Sequence, residues 1–192
     1  RSVSRGLGDV YKRQTYLFGP CATGVYEIPA AYTNVKAVYT NTAPVDAYRG
    51  AGRPEATYTI ERLVEKASME LGIDKTELRI KNFPTAFPFK QTLVHTVDSG
   101  DYVAGMEKAK QMADYKGFEA RRKESEAKGK LRGIGVTSYF EACGIAPSAA
   151  VMSLGCGVGL WESAEVRFNP TGQVTVYTGS HSHGQSHQTT FA

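Results

Sequence analysis

The stretch Ala47-Tyr48-Arg49-Gly50-Ala51-Gly52-Arg53-Pro54 runs directly into Glu55 to Leu71 and Gly72, and its reading decides how the chain is organised. A loop of glycines and arginines comes first. After it, Ala56, Ile60, Leu63, Val64, Ala67 and Leu71 recur at the spacing of one helix face, which predicts a buried stripe. Pro54 suits the first helical turn, where its missing N–H would have had no partner, and Gly72 ends the helix. Free backbone N–H groups and the helix dipole make such a start an anion site, and glycines let a ligand approach closely. Arg49 and Arg53 add guanidinium groups that can chelate phosphate or oxo groups. A tight turn with two surface arginines has the same composition, so this loop by itself leaves both readings open.

Upstream, residues 15–34 carry Gly19-Pro20, Gly24 and Pro29 and read as irregular structure, followed by a strand over 35–40. Downstream, Asp74-Lys75-Thr76-Glu77 has the form of a capping box and opens a helix to about Lys81. Pro84 and Pro88 break the chain into loop. Ser99-Gly100-Asp101 can cap a third helix that turns Val103, Met106, Ala109 and Ala113 inward. Residues 116–132, with seven basic and three acidic side chains, read as a solvated helix and linker. The pattern then changes. Ile134, Val136, Tyr139 and Phe140 suggest a strand, and Ala146 to Gly159 is small and glycine-rich. Trp161 to Phe168 alternates, Asn169-Pro170-Thr171-Gly172 turns, and Val174 to Tyr177 alternates again, which predicts a β-hairpin. The expected class is α+β, helix-rich before about residue 116 and strand-rich after about 131.

The chain has 192 residues, a formal charge of +4 and 41% hydrophobic residues, an ordinary globular composition. Arg1, Arg5, Lys12 and Arg13 against Asp9 place +3 of that charge in residues 1–14. This leader changes character abruptly at Thr15 and reads as non-native sequence or as a basic arm. Both ends of the chain read as cuts in a longer one. With the rest nearly neutral and no interleaved aromatics in its basic stretches, nucleic acid is not an expected partner. No apolar run reaches the ~18 residues of a membrane span. Cys21, Cys143 and Cys156 form no CxxC pair, which argues against a disulfide framework and fits a reducing cytoplasm.

A second loop, Gly179 to Gln188, gathers three of the chain's 4 histidines, at 181, 183 and 187. On an extended strand His181 and His183 would point the same way, as two ligands of one metal must, which leaves a metal-dependent hydrolase as an alternative. A loop of Gly, Ser, Gln and His could instead cradle a polar ligand through backbone and amide hydrogen bonds. Gly155, Gly157 and Gly159 have the wrong spacing for a dinucleotide fingerprint. Cys156 reads as a small buried residue rather than a nucleophile. Glu141 and Glu162, on expected strands, are candidate active-site carboxylates.

Taken together, Thr40-Asn41-Thr42-Ala43-Pro44, Ala47 to Glu55 and Glu77-Leu78-Arg79-Ile80-Lys81-Asn82-Phe83 closely resemble the molybdenum-binding large subunit of the xanthine dehydrogenase and aldehyde oxidase family. The nearest branch is the large chain of the carbon monoxide dehydrogenase type. Glu162-Ser163-Ala164-Glu165-Val166 to His183-Gly184-Gln185 matches the same family's strand-strand-loop, so the likeness runs from Thr15 to Ala192. It implies an internal piece of a larger subunit: residues 15–115 would end one molybdopterin-binding domain, 116–130 would link, and 131–192 would begin the next. It implies hydroxylation of an aldehyde, N-heterocycle or similar small molecule at a molybdenum–molybdopterin cofactor, in its cytosine dinucleotide form, with water as the oxygen source. Electrons would leave through [2Fe-2S] clusters and FAD on partner subunits, in a cytoplasmic dimer of heterotrimers. The implied catalytic residue is Arg49. The implied cofactor-binding residues are Arg49, Gly50, Ala51, Gly52 and Arg53 in the first loop and His183, Gly184, Gln185, Ser186 and His187 in the second. No side chain of this chain is expected to ligate the metal. Two departures stand out. Gly50 occupies the position of the copper-binding cysteine of carbon monoxide oxidisers, and Ser186 and Gln188 replace the Gly and Glu of Gly-Gln-Gly-His-Glu. If the backbone at Ser186 is left-handed, that serine is strained by about 1 kcal/mol.

Overall fold

Gly52 stands at φ 95° as the N-cap of α1 (Arg53–Leu71), Pro54 lies in its first turn, and Gly72 closes it at φ 66° with its N–H on the Ser68 carbonyl. The computed structural model describes residues 17–36, 38, 40–43, 50–141, 149 and 162–191. Its chain divides into two units, Arg1–Glu141 and Ala142–Ala192.

The first unit is built on α1. The buried positions are Arg53, Ala56, Ile60, Glu61 and Ser68, with Val64 packed against the core. Leu63 and Leu71, expected inside, are 58% and 64% exposed. At about 100° per residue, Leu63 falls roughly 60° to one side of Ile60, and Leu71 sits in the last turn. The buried arc is rotated instead toward Glu61, because α2 (Lys75–Lys81) brings Arg79 against that flank. Arg79 Nη2 lies 2.8 Å from Glu61 Oε2, and their side chains are 1% and 9% exposed. Arg79 Nε donates to the same carboxylate at 2.9 Å and its Nη1 donates to the Lys75 carbonyl at 2.8 Å. Tyr26 donates its hydroxyl to Glu61 Oε1, completing a buried network. Burial, and then this carboxylate, push the Tyr26 phenol well above its ordinary pKa.

Asp74 caps α2 where the sequence placed its start. Asp74 accepts from the N–H groups of Thr76 and Glu77 at 2.7 and 3.2 Å, and from the Thr76 hydroxyl. Tyr115 donates to its other oxygen at 2.9 Å. Burial alone would raise the Asp74 pKa, but these hydrogen bonds outweigh it and hold it below the ordinary value. In turn, burial and the Asp74 carboxylate push the Tyr115 phenol up to about 12.

Val25, Tyr26, Ile60, Phe83 and Met106 form the core. The Tyr26 and Phe83 rings stack at 5.8 Å, and Tyr102 leans on Phe83 at 5.6 Å. That aromatic contact sets the face of α3 (Tyr102–Met112), capped by Asp101: Met106 is buried beside Tyr102, while Val103, Ala109 and Ala113 are exposed rather than inward. Between α2 and α3, where loop was expected, two short strands pair: β1 (Phe89–Lys90) and β2 (Thr96–Val97), antiparallel with Phe89 opposite Val97. Buried Gln91 donates from this hairpin to the Gly24 carbonyl, and Thr92 donates to that of Ile28. The charged stretch forms α4 (Phe118–Ala127), of which only Ser125 is buried.

Two expected strands do not form among the described residues. Val35, Lys36, Val38 and Thr40 join no ladder, and Val38 is 76% exposed. Residues 134–140 join none either, although Ile134, Val136, Ser138 and Phe140 are half-buried and alternate with exposed neighbours. Alternation marks a pleat, but a strand also needs a partner, and the described residues supply none.

In the second unit β3 (Ala164–Phe168) and β4 (Val174–Thr178) form the expected hairpin, with Val166 opposite Val176. Asn169 accepts from Gly172 at 2.9 Å across the turn, and Gly172 takes φ 85°. One face carries Val166, Phe168, Val174 and Val176, all exposed; the other carries Glu165, Arg167 and Tyr177, with Arg167 lying 4.9 Å over the Tyr177 ring. The expectations for residues 1–14, Cys143, Cys156, 146–159 and Trp161 lie outside the described residues, apart from Ala149, which is helical. Both units together make the chain α+β. No helix among the described residues is long and apolar enough to cross a membrane.

Two outcomes test this scaffold. Arg79→Ala leaves Glu61 buried without its counter-charge and is expected to lower the unfolding free energy by ~3–5 kcal/mol in urea titrations; a loss no larger than a surface change would show that the pair does not join α1 to α2. Asp74→Ala is expected to cost ~1 kcal/mol at neutral pH. Because the folded-state pKa of Asp74 is depressed, the wild-type advantage should be complete above about pH 4 and shrink as pH falls further.

Candidate functional site

The approach to α1 is a turn in which three successive residues take left-handed φ: Gly50 at 98°, Ala51 at 40° and Gly52 at 95°. A Cβ on Gly50 would lie 2.6 Å from Cγ and 2.7 Å from Cδ of Pro54, so the turn needs glycine there for space as well as for φ. Ala51 holds its strained conformation between the two glycines. Gly52, the N-cap, has no side chain with which to cap the helix start.

Arg53, the first residue of α1, is drawn inward, with its side chain 9% exposed. Its Nη1 donates to the Gly50 carbonyl at 3.3 Å, and its backbone N–H reaches the same oxygen at 3.1 Å. Its Nε lies 3.2 Å from Glu141 Oε1, close enough for an ion pair but not aimed as a hydrogen bond. Nε and Nη2, which share one edge of the guanidinium, are therefore buried without a directed acceptor among the described residues. Unmet buried donors of a cation are costly, and this edge is the fork that grips oxyanions side-on. Arg53 and Glu141 open on a pocket of about 340 Å³, walled by Pro54, Thr57, Tyr58 and Tyr139.

Behind the arginine, buried Cys21 places Sγ 3.4 Å from His95 Nε2. Burial, with a smaller contribution from Glu141 against the pull of Arg53, raises the Cys21 pKa. Burial and the Arg53 cation lower that of His95. Both shifts favour a neutral thiol and a neutral imidazole, so Arg53 is the cation of this cluster. No spacing in the sequence links Cys21 to His95; β1 and β2 bring them together from 74 positions apart. Tyr58 and Tyr139 were likewise missed, since exposed tyrosines carry no pattern. Glu141 lies in no strand, and its signal was its charge alone.

The second loop belongs to the other unit. Gln185 ties it together by donating to the His181 carbonyl at 2.9 Å and accepting from the His183 N–H at 2.5 Å. Gly184 takes φ 87° and Ser186 φ 62°, the left-handed conformation that the sequence made a concern. Ser186 opens α5 (His187–Thr190), its carbonyl accepting from Thr189 and Thr190 at 2.9 and 3.0 Å, and His187 stacks on Phe191 at 4.5 Å. Glu162, which also lies outside the strands, accepts from Ser180 at 2.7 Å and so braces the loop's start. The His181 and His183 rings are 6.2 Å apart, and no group of three metal-ligating residues occurs among the described residues. The structure thus gathers Gly50, Ala51, Gly52 and Arg53 in one turn and His183, Gly184, Gln185, Ser186 and His187 in another. Arg49 lies outside the described residues.

Two family models match the chain, each described as a molybdopterin cofactor-binding domain, over residues 10–83 and 108–192. The carbon monoxide dehydrogenase large chain of Hydrogenophaga pseudoflava is 40% identical over 96% of this chain, which spans 23% of that relative. Among solved structures, quinoline 2-oxidoreductase from Pseudomonas putida 86 aligns with a TM-score of 0.76 and 34% identity over 93% of this chain and 23% of its own. A Cu,Mo-CO dehydrogenase aligns with a TM-score of 0.72 and 38% identity over 91% and 23%. The chain therefore spans about a quarter of the length of these relatives.

Ser186→Gly removes the Cβ that left-handed backbone disfavours and should stabilise the chain by about 1 kcal/mol. Equal or lower stability in thermal denaturation would show that Ser186 is not strained.

Proposed function

Because the chain belongs to the family of molybdenum-binding large subunits built from molybdopterin cofactor-binding domains, we propose that it holds part of a molybdenum–molybdopterin cofactor, in the cytosine dinucleotide form, through both loops. The observation that carries this reading is Arg53, whose buried Nε and Nη2 have no directed acceptor among the described residues, at a helix start whose N-cap is a glycine. An oxyanion of the cofactor would satisfy that edge and lie at the positive end of the α1 dipole. Gly50, Ala51 and Gly52 would bring backbone close to it, and His183, Gly184, Gln185, Ser186 and His187 would form the second cradle. Arg49, next to Gly50, would be the catalytic residue, directing its cation at the reacting centre.

When bound, the molybdenum centre supplies two-electron oxidation with water as the oxygen source. The protein that carries this chain would act on an aldehyde, an N-heterocycle or a similar small molecule. It would pass electrons to iron–sulfur and FAD subunits in a cytoplasmic dimer of heterotrimers. Gly50 bears on the substrate: it has no thiolate for copper, and Pro54 fills the space that a Cβ would need. That points away from carbon monoxide. The division into residues 15–115, a linker at 116–130 and 131–192 belongs to the same reading. The hydrolase alternative finds no support, since His181 and His183 have no third ligand among the described residues.

Arg49→Ala in the complete subunit should lower turnover by about 100-fold or reduce molybdenum and pterin content, read by metal analysis and pterin fluorescence. Full turnover with normal molybdenum would remove Arg49 from the site.

A further inference from the structure

Glu141 is the carboxylate that contacts Arg53 among the described residues, and both line the same pocket. The contact continues into the glycine turn, because the guanidinium that meets Glu141 on one side holds the Gly50 carbonyl on the other. The turn has reason to need holding. Three left-handed residues in succession, one of them Ala51, are a conformation that the local backbone does not favour. Arg53 also anchors Gly50 O through its backbone N–H, so guanidinium and main chain converge on one oxygen. Cys21 and His95, pushed toward their neutral forms, bring no competing charge. Glu141 is thus the anion set against a buried cation whose Nε–Nη2 edge has no directed acceptor among the described residues and can take a ligand oxygen.

We propose that Glu141 is the positioning residue of this site: through their ion pair it fixes the Arg53 guanidinium, and through it the Gly50–Gly52 turn, in the orientation that presents the Nε–Nη2 edge to the cofactor. This rests on the reading above that the first loop holds the cofactor. A carboxylate engaged this way does not serve as the proton-abstracting base, and its effect reaches the ligand only through Arg53.

The test uses the complete subunit carrying this sequence, comparing wild type with Glu141→Gln and Glu141→Asp. Molybdenum and pterin per subunit are measured after extended dialysis, together with the Mo(V) electron paramagnetic resonance line shape and the melting temperature. Glu141→Gln is expected to retain cofactor roughly tenfold less well, with an altered line shape and a melting temperature close to wild type, and Glu141→Asp to recover part of the loss. Unchanged retention and line shape in Glu141→Gln overturn the proposal, as does a lowered melting temperature with retention intact, which marks a structural ion pair only. Better retention in Glu141→Gln also overturns it, since Glu141 would then compete with the ligand. A wild-type subunit that holds neither molybdenum nor pterin overturns the functional reading itself, and this proposal with it.

Discussion

A carboxylate and a guanidinium buried against each other, Glu61 and Arg79, tie the two helices on which the first unit is organised. The pair is satisfied almost completely: Tyr26 donates to one oxygen of Glu61, Arg79 takes the other, and the Lys75 carbonyl accepts another guanidinium N–H. Such a pair gives little net stability over apolar packing, but it is demanding about geometry, since either partner alone would be a buried charge. It therefore fixes rotation. With Glu61 inside, Ile60 and Ala56 follow it into the core, Leu63 turns out, and the first turn of α1 aims Arg53 inward.

The two buried arginines make an instructive contrast. Arg79 meets acceptors on every side and is structural. Arg53 is also buried, at 8% against 1% exposed, but keeps one edge without an aimed acceptor among the described residues, and it stands behind a glycine turn at a helix start. Burial alone does not distinguish the two; the difference is the unanswered donors.

Local rules were legible in the sequence where the interaction is local. Pro54 and Gly72 bracket α1, Asp74 caps α2, Asp101 caps α3, and Asn169 to Gly172 turns the hairpin, because each acts within a few residues of itself. The likeness carried by the first loop and Gly184-Gln185 was legible too, since motif order survives without knowledge of packing. What failed depended on distant partners. The face of α3 is set by Tyr102 on Phe83, the strands at 35–40 and 134–140 need neighbours that the described residues do not include, and β1 with β2 is held by Gln91 on Gly24. The Glu141–Arg53 contact spans the unit, so each residue could be named but not paired.

The β3–β4 hairpin raises a question of timing rather than of equilibrium. Its Val166, Phe168, Val174 and Val176 face is bare among the described residues, and a two-stranded ribbon has two open edges. As the polypeptide emerges, that face exists before anything can cover it, and it is most adhesive to other nascent chains in that interval. Glu165 and Arg167 on the opposite face, and the tight Pro170-Thr171-Gly172 corner, keep charge and curvature beside the apolar stripe. Charge and curvature beside an apolar stripe are the arrangement that disfavours its pairing with other unfinished chains, a property that bears on folding yield rather than on the finished site.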